Sequence, residues 1–146
     1  MNRAGATHRT ALAAVALASS LGCGAATGEV VAVVSAKCPV NALTKSQAAD
    51  IFLGKTARFP DGSAAVPIDQ VEGSPARDEF YLTFAGKSAA QLNAHWAKII
   101  FTGRGQPPAE VASGAEVKKR LAANPTAIGY IEAALVDSQV RVVATP

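Results

Sequence analysis

Helices packed over a mixed β-sheet, an α/β fold, are what the sequence predicts, and three features predict it. Valine-rich runs read as strands towards both ends of the chain, and capped amphipathic segments read as helices between them. Gly, Pro and Asn signals separate the two kinds of segment. At 146 residues, 49% hydrophobic and 17% charged, the chain is too apolar for disorder and holds one domain's worth of sequence.

Residues 1–26 read as an address rather than as part of that fold. Arg3, His8 and Arg9 make a polar basic start, Ala11 to Leu21 is apolar nearly all round, and the small residues Gly24, Ala25 and Ala26 follow. This is the order of a secretory signal peptide, and the run is too short to span a bilayer. The expectation is an exported, periplasmic protein, cleaved near Ala25 or Ala26, whose single domain occupies 27–146. Cys23, after Leu21 and Gly22, resembles a bacterial lipoprotein site with Ser20 in place of the expected Leu. Lipidation there would anchor the chain. Cleavage after Ala25 or Ala26 would instead remove Cys23 and leave Cys38 as an unpaired thiol, read as buried and inert for want of a nearby His or second thiol. No later stretch approaches the roughly 18 apolar residues of a transmembrane helix. The formal charge of +3 counts Arg3 and Arg9, and without those two it falls to +1. That excludes an obviously basic surface for nucleic acid or anionic membrane.

Glu29 to Ser35 carries Val30, Val31, Val33 and Val34, a β-branched run suited to a central strand buried on both faces. Thr44 and Gln47 have capping-box spacing and open a helix whose Ala48, Ile51 and Phe52 share a face until Gly54. Pro60-Asp61-Gly62 is a turn signal that predicts a hairpin or bent strand pair between Lys55–Phe59 and Ala64–Asp69. A second helix starts at the N-cap Ser74, with Pro75 at its first position and Phe80 and Phe84 inward, and ends at Gly86. Ser88 and Gln91 open a third, whose stripe is Leu92, Trp96, Ile99 and Ile100. Beyond the loop Thr102 to Pro108, Ser113 with Glu116 caps a fourth helix with Val117 and Leu121 inward and Lys118, Lys119 and Arg120 largely outward, stopped by Asn124-Pro125. Ala127–Ile131 and Val140–Val143 are two closing strands around a helical turn at Ala133–Val136.

Specific words in the sequence add to this pattern. Leu43-Thr44 with Ala49-Asp50-Ile51-Phe52-Leu53-Gly54-Lys55, then Asp69-Gln70, Glu72-Gly73-Ser74 with Arg77-Asp78 and Phe80, then Phe101-Thr102-Gly103-Arg104-Gly105, then Asn124-Pro125 with Ala127-Ile128-Gly129-Tyr130-Ile131 occur in this order. In them the chain resembles small exported proteins related to the phosphate-binding component of phosphate ABC transporters, over roughly Val30 to Val143. The resemblance implies a reduced type 2 periplasmic-binding fold, an oxyanion ligand, and an ABC permease or a membrane sensor as partner. Full-length relatives grip phosphate with an Arg, three intervening residues, then Ser-Gly-Thr at a helix start. Here Gln70 and Ser74-Pro75-Ala76 stand at those positions, so only the Ser is kept.

The helix start remains a candidate anion site, because Ser74 Oγ and the amides of Ala76 and Arg77 point from it towards positive potential. Arg77 and Arg104 offer charged forks for phosphate or another small oxyanion. The alternative is an ordinary capped helix with a salt-bridged Arg77, since Asp78 and Glu79 in the same turn already complement its dipole. For Arg104 the alternative is a rigid exposed turn with a solvated side chain.

Catalytic chemistry finds little support. With His8 cleaved, His95 beside Trp96 is the one imidazole left, and it reads as structural or half-exposed. No Cys/His metal spacing and no Gly-rich phosphate loop followed by Lys-Ser or Lys-Thr is present, so no metal or cofactor is expected. Asp69, Glu72 and Asp78 read as solvated surface carboxylates. Two function classes follow. One is a non-enzymatic solute-binding protein that binds phosphate or a similar oxyanion weakly. The other is an exported interaction or accessory module that keeps the fold without a small ligand.

Overall fold

The computed structural model describes residues 28–146; the expected signal peptide and Cys23 lie outside them. In chain order the elements are β1 (Val30–Ser35), α1 (Lys45–Phe52), β2 (Val66–Gln70), α2 (Pro75–Ala85), α3 (Ala89–Phe101), β3 (Ala109–Val111), α4 (Gly114–Ala123), β4 (Ala127–Glu132), a 3-10 turn (Ala133–Leu135) and β5 (Val140–Ala144). The five strands form one mixed sheet in the order β3-β2-β4-β1-β5. β1 runs antiparallel to both β4 and β5, whereas β2 runs parallel to β3 and β4.

β1 is interior and buried along its whole length, as a β-branched run with little polar alternation should be. The pleat sends Val30, Ala32 and Val34 to the face covered by α1, α2 and α3, where Phe52, Phe80, Trp96 and Tyr130 pack. Val31 and Val33 point to the opposite face, where Val117 and Leu121 of α4 meet Ile68, Val111 and Ile131. Gly129 on β4 is what lets α4 lie so close. A Cβ there would stand 2.3 Å from Cγ1 of Val117.

The helix starts form as their sequences dictate. Thr44 and Ser88 make reciprocal capping boxes with Gln47 and Gln91, and Ser74 and Ser113 accept from the amides of Arg77 and Glu116. The hairpin expected around Pro60-Asp61-Gly62 is reduced to its turn. Phe59 and Ser63 close it and a single antiparallel bridge joins Arg58 to Ala64, but Lys55–Phe59 is not a strand. The amides of Lys55 and Thr56 are turned back to Asp50 O at the end of α1, and β2 takes its partners from β3 and β4 instead.

Two further expectations are corrected. Ile100 is 50% exposed rather than part of the inward stripe, and the adjoining Phe101 is 92% exposed. The last turn of α3 runs past the layer that buries Leu92 and Trp96, which leaves Ile100 half covered and Phe101 in solvent. Lys118 is half-buried and turns to Asp137 rather than to open solvent. The short strand β3 was not expected, because three residues are too few for a periodicity to register.

Candidate functional site

Gln70, the last residue of β2, and Ser74, the N-cap of α2, form the inner edge of the site. The Val71–Ser74 turn closes through Ser74 N to Val71 O at 3.1 Å, with Gly73 at φ 87°. Ser74 Oγ donates to Gln70 Oε1 at 2.9 Å and accepts weakly from Arg77 N at 3.5 Å. Gln70 Nε2 in turn donates to Tyr130 O at 3.0 Å. The serine hydroxyl proton is therefore spent inside the protein.

Arg77 is also spent inside. Only 7% exposed, it donates from Nη1 to Gln70 O and to Glu110 Oε1, each at 2.7 Å, and lies 3.8 Å from Asp69 Oδ2. It ties α2 to β2 and β3. Ala76 turns its methyl into the core at 3% exposure.

Behind Arg77 lies a polar network that the sequence reading missed. Asp69, expected at the surface, is 1% exposed. Its carboxylate accepts from Tyr81 Oη at 2.6 Å, from Tyr130 Oη and from the Gln70 amide at 2.8 Å. Burial pushes the Asp69 pKa above its ordinary value, while hydrogen bonds from the two tyrosines and the charge of Arg77 pull it back. Burial and the neighbouring carboxylate drive both tyrosine hydroxyls far above their usual range, so they remain donors. Asp69 is the penultimate residue of β2, with no period-2 cue to mark it as inward, because the strand is buried on both sides there.

The helix starts meet in space. A shallow concavity of about 450 Å³ is lined by Ser74 and Pro75 of α2, Ser113 and Gly114 of α4, and Glu72 and Glu132. Two helix N-termini thus open onto one surface at the ends of the parallel strands β2 and β3. Glu132 Oε2 is buried there and has no hydrogen-bond partner among the described residues. A Cβ at Gly114 would lie 3.1 Å from that oxygen. Each cap was legible in the sequence. That they face each other was not.

Arg104 is elsewhere. It lines a separate cavity beside Lys98 and Trp96, so the structure does not bring it to Ser74. His95 is half-buried, with Nε2 2.8 Å from Leu53 O, a tie between α3 and the end of α1. Cys38 is buried, as expected, and has no disulfide partner among the described residues. No helix among the described residues is long and apolar enough to cross a membrane.

The mixed five-stranded sheet with its covering helices matches a reduced periplasmic-binding-protein-like fold. Solved structures give that class its particular relatives. The chain is similar to an ABC-type phosphate transport receptor from Vibrio cholerae, at 20% identity and TM-score 0.63 over 82% of this chain and 48% of that one. It is similar as well to a protein from Clostridium perfringens described as a phosphate ABC transporter substrate-binding protein and solved with bound phosphate. There the identity is 24% and the TM-score 0.60, over 80% of this chain and 44% of that one. PstS from Borrelia burgdorferi follows at 14% identity and TM-score 0.58, over 80% and 47%. The chain therefore spans less than half the length of these proteins, and at these identities the likeness is one of fold. No protein-family model matches the sequence, and no curated protein matches it.

Proposed function

We propose that the chain is an exported, non-enzymatic solute-binding protein of a phosphate or related oxyanion uptake system, holding its ligand weakly and working with an ABC permease. The observation that carries this reading is the meeting of the α2 and α4 N-termini on one concavity, since free amides and aligned dipoles there favour an anion. The site is the Ser74–Pro75 start of α2 with the amide of Ala76, joined by the Ser113–Gly114 start of α4; the Arg77 amide is taken up by Ser74 Oγ as the helix cap. The arginine side chains are not needed for it: Arg77 works as a clamp within the protein and Arg104 belongs to another cavity. Export rests on the order of Arg3, Arg9 and the Ala11–Leu21 run, and N-terminal sequencing of envelope protein tests it. A chain starting at Met1 would sink export, and one starting at a lipid-bearing Cys23 would make the protein an anchored one.

Weak binding follows from charge. Glu72 and Glu132 line the concavity, and no cation among the described residues does. Calorimetric titration with phosphate, sulfate and molybdate should give dissociation constants in the high micromolar to millimolar range, about 4 to 6 kcal/mol. Glu132→Gln should strengthen binding about tenfold, roughly 1.4 kcal/mol, and Ser113→Ala should weaken it. If no oxyanion gives heat at millimolar concentration and Glu132→Gln changes nothing, the reading fails.

The second reading is an exported interaction or accessory module, with a membrane sensor as its partner. A specific observation favours it: the arginine nearest the helix start is locked into Gln70 and Glu110, and two carboxylates line the concavity an anion would enter. The absence of any oxyanion binding is the outcome it requires.

A further inference from the structure

We propose that the cavity between the C-terminal ends of α1 and α3 is a second binding site, one that takes a small organic anion. The cavity measures about 310 Å³, within the size that small-molecule sites occupy. Its apolar side is built from Leu53, Trp96 and Ile99, and its polar side from Lys55, Lys98 and Arg104. No carboxylate among the described residues lines it. The concavity at the helix N-termini has the opposite character, two carboxylates and, among the described residues, no cation. Judged by side-chain charge, the better anion site of this molecule is therefore the one at the helix C-termini.

Local geometry fixes the parts. Gly54, at φ 74°, lies against the edge of the indole, where a Cβ would come within 2.9 Å of Trp96 Cη2. The α3 end is a Schellman turn: Gly103 N donates to Ile100 O and Arg104 N to Ile99 O, which folds Arg104 back over the last turn beside Ile99. Lys98 and Arg104 make no ion pair among the described residues, and Lys55 has only an exposed 3.7 Å contact with Asp50. The indole N–H of Trp96 is buried with no hydrogen-bond partner among the described residues.

Cations at helix C-termini would be expected merely to offset the dipoles, each equivalent to roughly half a negative charge. Lys98 and Arg104 alone, neither of them in an ion pair among the described residues, bring two full charges against two half charges. The carbonyls are moreover already capped, Leu53 O by His95, Ile99 O by Arg104 N and Lys98 O by Thr102. The cations are left with a charge surplus and an apolar wall beside it. A carboxylate or phosphate head would meet Lys98 and Arg104, and a flat apolar body would cover Trp96 and Leu53. Inorganic phosphate would satisfy only the first half.

Trp96 is the sole tryptophan of the chain, so its emission reports on this cavity directly. The purified protein is titrated with phenylacetate, with the uncharged phenylacetamide and with inorganic phosphate, following fluorescence and heat. Phenylacetate should change the emission saturably below about 10 mM, and phenylacetamide should bind at least about tenfold more weakly. Phosphate should leave Trp96 emission unchanged. Lys98→Gln with Arg104→Gln should abolish the phenylacetate response while the circular dichroism and melting temperature stay at the parent values, because both side chains are exposed. Glu132→Gln and Ser74→Ala should not affect it, which separates this site from the proposed oxyanion site. Equal responses to acid and amide, no saturation, a phosphate-induced shift, or a double variant that binds like the parent would each overturn the proposal.

Discussion

Tyr130 of β4 donates its hydroxyl to the buried carboxylate of Asp69 on β2, a contact between residues 61 apart in sequence. Tyr81 of α2 donates to the other oxygen of the same carboxylate. One charged group thus pins two strands and a helix, at a point where the β2–β4 ladder has already ended at Pro67–Ile128. The network lies behind the candidate oxyanion site and holds Gln70, and through it Ser74, in place.

Removing either donor should cost stability in a way a surface hydroxyl would not. Tyr130→Phe and Tyr81→Phe should each lower the unfolding free energy in urea by about 1.5 to 3 kcal/mol, the range for hydrogen bonds to charged groups. The two should not add, because both act on Asp69. Losses below about 0.5 kcal/mol for both would show that the carboxylate is hydrogen-bonded otherwise.

Asp69 also sets a sign for pH. Its folded pKa lies above the ordinary 3.8, chiefly because burial disfavours the charge, so the folded state holds this proton more tightly than the unfolded state does. Its contribution to stability is complete below the ordinary value and is lost as pH rises through the folded one. Relative to Asp69→Asn, the parent should therefore gain stability as pH falls from neutral towards 4. Asp61 and Asp137, whose pKa values are lowered by hydrogen bonds, act oppositely at acid pH but cancel in the comparison. A difference between the two proteins that is flat from pH 7 to pH 4 would contradict the shift.

Trp96 is 6% exposed, lies against Gly54 and His95, and belongs to the same core cluster as Phe52 and Phe80. Trp96→Ala should cost about 3 to 5 kcal/mol, which is a large part of the stability of a domain this small. A melting curve that does not move would mean that α3 is docked on another face.

Gly129→Ala tests the other side of the sheet. The new methyl would collide with Val117 at 2.3 Å, and the near atom is a branched side chain on a buried helix face. An overpacking cost of about 1 to 3 kcal/mol is expected, and Val117→Ala in the same chain should relieve part of it. Chemical denaturation of the single and double variants provides the measure. Strict additivity would show that α4 does not rest on Gly129.

By itself the sequence determined the four helix starts, because capping and Pro-at-N1 signals act through backbone groups within three or four residues of one another. It determined as well that β1 is buried on both faces, since a valine run has no polar side to offer solvent, and which α/β class the alternating segments build. Only the tertiary structure decided where the charged groups go. Asp69 and Arg77 lie among polar neighbours in the sequence yet are buried, because their partners Tyr81, Tyr130 and Glu110 arrive from other elements. It alone decided that the α2 and α4 starts share a concavity, and that Arg104 joins Trp96 and Lys98 instead of Ser74. Local signals survive any packing arrangement, whereas the position of a charge depends on which distant donors can repay its desolvation, and sequence spacing holds no record of that distance.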